Sequence, residues 1–204
     1  PCAACYARSK ATEMEVKNSP EMQKTISDVI EREYTGKSRA KALLDIFVND
    51  LGLEAINALV NKPLKGLKVV SYYGCLLVRP PRLGFDDPED PQTMDKLVEV
   101  LGGTAVQWAF KTECCGAAHA TAKTDVGLAM IEKILTAAKE SGADCIATAC
   151  PLCMSNLDMR QGQTGAKFGH SYNLPVFYFT ELMGLALGLK PEEMGINKHF
   201  VDAS

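Results

Sequence analysis

Residues 67–75 read LKVVSYYGC, a run of β-branched and aromatic side chains that ends at Gly74 and passes straight into Cys75. Such side chains pack well on a pleated surface, so the run reads as a buried strand. Segments 104–110, 144–149 (DCIATA) and 175–179 (PVFYF) read as three more strands. Helical patterns separate them. Met94, Leu97, Val98 and Leu101 share one helical face, with Asp90 expected as the cap, Pro91 at the first position and Gly102-Gly103 as the stop. Residues 125–140 bring Leu128, Ile131, Ile134 and Leu135 onto one face and stop at Gly142. Further helices are expected from near Pro151 and from near Thr180, while 79–91 is a Pro-rich loop and 161–170 a polar, Gly-rich stretch. Strands that alternate with helices need right-handed crossovers. The expected class is therefore α/β: a mainly parallel open sheet of about four strands with flanking helices, covered on both faces.

Upstream of Gly66 the pattern is helical. Met22, Ile26, Val29 and Ile30 form a stripe after Pro20, Leu43, Leu44, Phe47, Val48 and Leu51 form another that Gly52 ends, and residues 53–60 form a third. No strand lies between them, so residues 1–65 read as a helical N-terminal segment before the α/β unit at 66–204.

Composition narrows the function. The 204 residues are 47% hydrophobic and 23% charged, ordinary for a cored protein. The net charge is −3 and no basic stripe is present, which argues against nucleic acid. The longest apolar stretches, such as 182–189, fall far short of the ~20 residues of a membrane helix, so no direct membrane insertion is expected. Neither GxGxxG nor a P-loop occurs. The chain opens on Pro1 with neither an initiator methionine nor a secretory signal, and reads as cut upstream. Eight cysteines, clustered in a cored chain, point to metal or redox chemistry in a reducing cytoplasm.

Five of them follow C-x38-C-C-x34-C-x2-C, as Cys75, Cys114, Cys115, Cys150 and Cys153. Each group follows an expected strand, and ligands of open α/β sheets gather beyond the carboxyl ends of the strands. Gly116 would let backbone approach a bulky cofactor. A helix beginning near Pro151 would favour thiolate over thiol. One structural zinc takes four ligands in a tetrahedron. Five thiols, two of them adjacent and diverging, suit a multi-iron cluster better, with zinc as the competing metal. Cys145, in mid-strand, reads as a small hydrophobe. Cys2 and Cys5 repeat the Cys150/Cys153 spacing, as the end of a second copy of the array would. His119 is a candidate proton donor to a leaving thiolate, or a holder of an anionic group; the alternative is a loop histidine with a satisfied hydrogen bond. His170 and His199 read as surface residues, Arg79 and Arg82 as solvated loop charges, Trp108 as core, and 86–90 as an exposed acidic loop.

These residues carry a resemblance. Cys114-Cys115-Gly116, with Cys75 before it and Cys150-Pro151-Leu152-Cys153 after it, resembles the cysteine-rich CCG domain. Pro1-Cys2-Ala3-Ala4-Cys5-Tyr6, Pro63-Leu64-Lys65-Gly66, Tyr72-Tyr73-Gly74-Cys75 and Glu113-Cys114-Cys115-Gly116-Ala117-Ala118-His119 are similar to the B subunit of heterodisulfide reductase, over a stretch from Pro1 to near Leu187. That resemblance implies two CCG domains, each holding a noncubane [4Fe-4S] cluster through five cysteines, with the clusters flanking the substrate. Carried over, Cys75, Cys114, Cys115, Cys150 and Cys153 ligate the cluster of the second domain, 66–204. Cys2 and Cys5 are two ligands of the first, of which 1–65 holds a remnant and a connector. The other three ligands have no counterpart here, so the fragment is expected to be inactive alone. The resemblance also implies one-electron reduction of a mixed disulfide of the CoM-S-S-CoB type. It implies two partner subunits, the flavin-bearing A and the ferredoxin-like C of heterodisulfide reductase. Two other readings stay open: an electron-transfer CCG subunit of a glycolate, lactate or succinate oxidoreductase, and a zinc-stabilised interaction domain.

Overall fold

The structure, a computed structural model, describes residues 2–203; Pro1, which precedes the N-terminal CxxC, lies outside them. Four strands, β1 (Lys68–Tyr72), β2 (Thr104–Ala105), β3 (Cys145–Thr148) and β4 (Val176–Tyr178), form one sheet in the order β2-β1-β3-β4. All pairs are parallel; Val69 lies opposite Cys145 and Thr148 opposite Tyr178. The α/β class expected from sequence is therefore the one observed. Helices α1 (Ala3–Asn18), α2 (Pro20–Val29), α3 (Leu43–Asp45, continued by a π-helical stretch Ile46–Gly52) and α4 (Leu53–Leu59) precede the sheet. Helices α5 (Thr93–Val100), α6 (Thr124–Glu140), α7 (Pro151–Met159), α8 (Gln161–Phe168), α9 (Phe179–Leu187) and α10 (Pro191–Met194) follow β1.

The core forms where periodicity placed it. Leu128, Ile131, Ile134 and Leu135 of α6 are buried, as are Met94, Leu97 and Val98 of α5. Each such side chain contributes about 1.5–3 kcal/mol by leaving water. Ala3 and Tyr6 of α1 join the same apolar cluster, and the Tyr6 hydroxyl donates to Leu83 O at 2.5 Å. The stripe on α2 is helical as expected, yet Met22, Val29 and Ile30 are exposed and no residue of that helix is buried. Among the described residues, no helix is long and apolar enough to cross a membrane.

Three local expectations are corrected. Strand β2 stops at Ala105 rather than 110, because inward-turned polar groups take over from the ladder. The Trp108 indole N–H donates to Ser71 O at 2.9 Å, and Lys111 turns its ammonium into the core. Helix α5 begins at Thr93, not Pro91. Asp90, the expected cap, is drawn to Lys111 at 2.7 Å, and Asp86 accepts the Thr93 N–H at 2.8 Å instead. The polar stretch 161–170, to which the sequence alone assigns no element, is largely helix: the Gln161 amide donates to Leu174 O at 2.7 Å and accepts the Leu174 N–H at 3.0 Å, fixing the entry to β4. His199 is not a surface residue. Its side chain is 4% exposed, its Nε2 lies 3.1 Å from Glu181, and its ring lies against Phe177.

Candidate metal centre

The carboxyl ends of β1 and β3 bring the cysteines together. Gly74 and Tyr73 follow β1 in a bend held from outside: both N–H groups donate to Lys111 O, at 3.2 and 2.8 Å. That contact fastens the segment leading to Cys114 and Cys115 onto the segment carrying Cys75. Tyr72, buried at the end of β1, donates its hydroxyl to Glu113 O at 2.6 Å. Asn156, three residues after Cys153 and so on the same face of α7, donates to Cys115 O at 2.8 Å. Cys150 follows β3 and caps α7, whose first residue is Pro151.

The five sulfurs form two linked sets. Cys114 turns toward Cys75 and shares a hydrogen bond with it. Cys115 diverges from its neighbour and reaches Cys153, sulfur to sulfur 3.5 Å. Cys153 is also hydrogen-bonded to Cys150. Cys115, Cys150 and Cys153 are buried; Cys75 and Cys114 are half-buried. Protons shared along these contacts split the thiols. The bonds from Cys75 and Cys153 pull Cys114 and Cys150 each down to about 6, against the opposing effect of burial. Cys115 is lowered for the same reason. Cys75 and Cys153, as the donors, are raised. Three sulfurs are thus biased toward thiolate, the form that binds metal. Backbone amides add to the bias: Gly116 N–H donates to Cys114 Sγ at 3.4 Å, Ala3 N–H to Cys150 Sγ at 3.4 Å, and Ala117 N–H points at Cys115.

A multi-iron cluster fits this donor set. Its attachment points spread over several ångströms, and N–H groups aimed at sulfur tune it. Among the described residues, no three Cys, His, Asp or Glu side chains converge as a single metal ion needs. Space is kept by glycine. A Cβ on Gly74 would come within 3.1 Å of Cys153 Sγ. Gly116, at φ +74°, would press a Cβ to 3.0 Å from Met130 Sδ and 3.1 Å from Gly127 Cα. Gly116→Ala is therefore expected to cost more than the ~1–2 kcal/mol that a left-handed non-glycine residue costs. Gly142, also at φ +74° but with nothing within 4 Å of its Cβ position, supplies the comparison. If chemical denaturation finds Gly116→Ala and Gly142→Ala equally destabilised, the close approach of α6 to the cysteine loop has no energetic weight.

Other sequence-derived candidates separate. The two N-terminal thiols meet, Cys2 Sγ to Cys5 Sγ at 3.1 Å, and Ala3 between them contacts Cys150, so both CxxC groups lie at one end of the sheet. His119 is exposed on a 3-10 turn and acts on Cys114 through its charge. Cys145 is buried in β3, its thiol pushed up to about 12 by burial, as expected of a packing residue. Arg79 is occupied by Glu89 and Pro88 O. Tyr72, Lys111 and Asn156 were not singled out from sequence. For Asn156 a signal existed in its helical spacing from Cys153; for the others the partners are backbone or distant groups.

Comparison with known proteins identifies the family. The family model for the CCG cysteine-rich domain matches residues 69–158. The B subunit of a ferredoxin/F(420)H(2)-dependent CoB-CoM heterodisulfide reductase from Methanosarcina acetivorans is 33% identical over 206 residues, covering 98% of this chain and 68% of that protein. The B subunit of a ferredoxin:CoB-CoM heterodisulfide reductase from Methanosarcina mazei is 34% identical with the same coverage. An 8-methylmenaquinol:fumarate reductase membrane anchor subunit of Wolinella succinogenes is 33% identical over 172 residues, 84% of this chain and 60% of that one. A crystal structure of a hypothetical protein from Helicobacter pylori superposes with a TM-score of 0.68 at 11% identity, covering 94% of this chain and 35% of that chain, a likeness of fold.

Proposed function

This chain belongs to the family of heterodisulfide reductase B subunits, and on that premise we propose that it is part of an iron–sulfur oxidoreductase subunit that reduces a mixed disulfide. The observation that carries the proposal is the meeting of Cys75, Cys114, Cys115, Cys150 and Cys153 from three separate segments in two linked sets of sulfur contacts, with backbone N–H groups aimed at them. These five would hold a noncubane cluster, and Cys2 and Cys5 would contribute to a second. When bound, such a cluster supplies electrons singly to a disulfide, which needs two. The protein's own part is to hold the thiolates, to exclude water at the buried sulfurs and to tune them through Ala3, Gly116 and Ala117 N–H groups. His119, exposed beside Cys114, is the proposed proton donor to a leaving thiolate. In this reading residues 1–65 are a connector and the remnant of a first CCG domain, 66–204 are the second, and the complex is cytoplasmic with flavin-bearing and ferredoxin-like partners.

A second reading is favoured by the Wolinella relative, whose name assigns it to a quinol:fumarate reductase: an electron-transfer subunit that handles no disulfide. Iron and acid-labile sulfide analysis of anaerobically prepared protein, followed by an assay with mixed disulfides in the presence of the partner subunits, separates the readings. Iron and sulfide with disulfide turnover support the first. Iron and sulfide without turnover leave the second, and stoichiometric zinc without sulfide overturns both.

A further inference from the structure

Asn156 is a buried polar side chain on α7, on the face of that helix that carries Cys153. Burying an amide costs free energy unless it is hydrogen-bonded. Its Nδ2 donates to Cys115 O at 2.8 Å. That carbonyl belongs to the peptide that joins Cys115 to Gly116. A trans peptide is planar, with its C=O and N–H directed to opposite sides. The N–H of this same unit, that of Gly116, donates to Cys114 Sγ at 3.4 Å. One rigid plane therefore has Asn156 at its oxygen and the Cys114 sulfur at its nitrogen.

Without a hold on its oxygen this plane is free to turn over. Gly116 sits at φ +74°, and glycine accepts negative φ as readily. A turned peptide would present Cys115 O, in place of the Gly116 N–H, to the Cys114 sulfur. An N–H attracts a thiolate, and a carbonyl oxygen repels it. The Tyr72 hydroxyl holds Glu113 O in a similar way, at 2.6 Å, so the two peptides that bracket the cysteine pair are both fixed at their oxygens.

We infer that Asn156 is a positioning residue for the cysteine centre: by holding Cys115 O it keeps the Gly116 N–H on Cys114, and so tunes the reduction potential of the cluster those sulfurs bind. The tuning rests on the iron–sulfur reading, and the hold on the peptide rests on the geometry alone. N–H groups directed at sulfur favour the more negative, reduced form of a cluster, so their loss lowers its potential.

Two variants separate the donor from the space it fills. Asn156→Ala removes both, while Asn156→Leu nearly keeps the volume and supplies no donor. The first measurement is hydrogen exchange in the metal-free natural protein. Pairing isotope-labelled cysteine carbonyl with labelled glycine nitrogen selects the Gly116 amide, because Cys115-Gly116 is the one Cys-Gly step in this sequence. The parent amide should be protected, and in both variants it should exchange about tenfold faster or more. The Ile146 N–H, donated to Pro175 O at 2.9 Å within the sheet, should change by less than about twofold. The second measurement is a redox titration of the anaerobically prepared, cluster-bearing protein, followed by electron paramagnetic resonance. Both variants should move the equilibrium about tenfold toward the oxidised form, about 59 mV lower for a one-electron couple. A Gly116 amide unprotected in the parent overturns the assignment, as does parent-like exchange at Gly116 in the variants. A potential that falls in Asn156→Ala but not in Asn156→Leu marks a packing role and overturns it too. Normal iron content with an unmoved potential in both variants overturns the assignment and leaves the iron–sulfur reading standing. Parent protein without iron and sulfide refutes that reading, and the exchange result then decides the hold of Asn156 on the Gly116 peptide by itself.

Discussion

Lys111→Met is expected to destabilise the protein by about 3–5 kcal/mol, the cost of leaving one member of a buried ion pair alone. Against a total of about 5–15 kcal/mol for a domain, that is a large fraction. The Lys111 side chain is 2% exposed and that of Asp95 is 4% exposed. The ammonium donates to Asp95 at 2.7 Å, to Asp90 at 2.7 Å, to Gln107 at 3.1 Å and to Pro91 O at 3.1 Å. Methionine fills similar space but supplies no donor, so the buried Asp95 carboxylate and the buried Pro91 carbonyl lose their partner together. Adding Asp95→Leu should recover part of the loss, because it removes the stranded charge. The hydrogen bonds to Asp90 and Asp95 hold the ammonium above the ordinary lysine range, against the opposing effect of burial. A raised folded value means the contribution is complete below the unfolded lysine pKa of about 10.4 and is lost as pH rises through the folded value. Urea unfolding of both variants measures this. A midpoint for Lys111→Met within experimental error of the parent would refute the account.

Cys153→Ala is expected to abolish cluster binding in the natural protein. Cys153 is the hub of the sulfur contacts, bonded to both Cys115 and Cys150. Losing an outer partner of a metal ligand already costs about 10–100-fold in affinity, so losing a central ligand should cost more. Iron and acid-labile sulfide should fall to near background, and the thiolate-to-iron absorption and electron paramagnetic resonance signals should vanish with them. Cys145→Ala is the matched comparison. It removes a still more deeply buried sulfur in mid-strand and should keep full iron content while losing about 1 kcal/mol of packing. A Cys153→Ala protein with full iron and an unchanged resonance spectrum would sink the ligand assignment.

Much of the architecture was legible in the chain. Alternating strand and helix patterns identified the parallel sheet, since buried strands such as Val69–Tyr72 and Cys145–Thr148 need apolar side chains on both faces and so stand out locally. The cysteine spacing pointed to a shared site for a related reason: Cys75 and Cys150 follow β1 and β3, whose ends share one rim of an open sheet. Polar side chains that turn inward were not legible. Lys111, Gln161 and His199 carry no mark in their own neighbourhood, because their partners Asp95, Leu174 and Glu181 lie 13 to 18 residues away. Two of them displaced a local expectation: Lys111 the length of β2, and His199 an exposed terminal histidine.

Local sequence therefore determined which segments are strands and helices, which thiols stand at strand ends and which glycines leave room for them. Those choices depend on side-chain shape and backbone freedom within a few residues. Only the tertiary structure decided how the five thiols pair, that the N-terminal CxxC lies against Cys150, and that Lys111 fastens the loop between β1 and the cysteine pair. Hydrogen bonds and charge pairs form between whichever groups the fold brings within about 3 Å, and that proximity is a property of the packed chain as a whole.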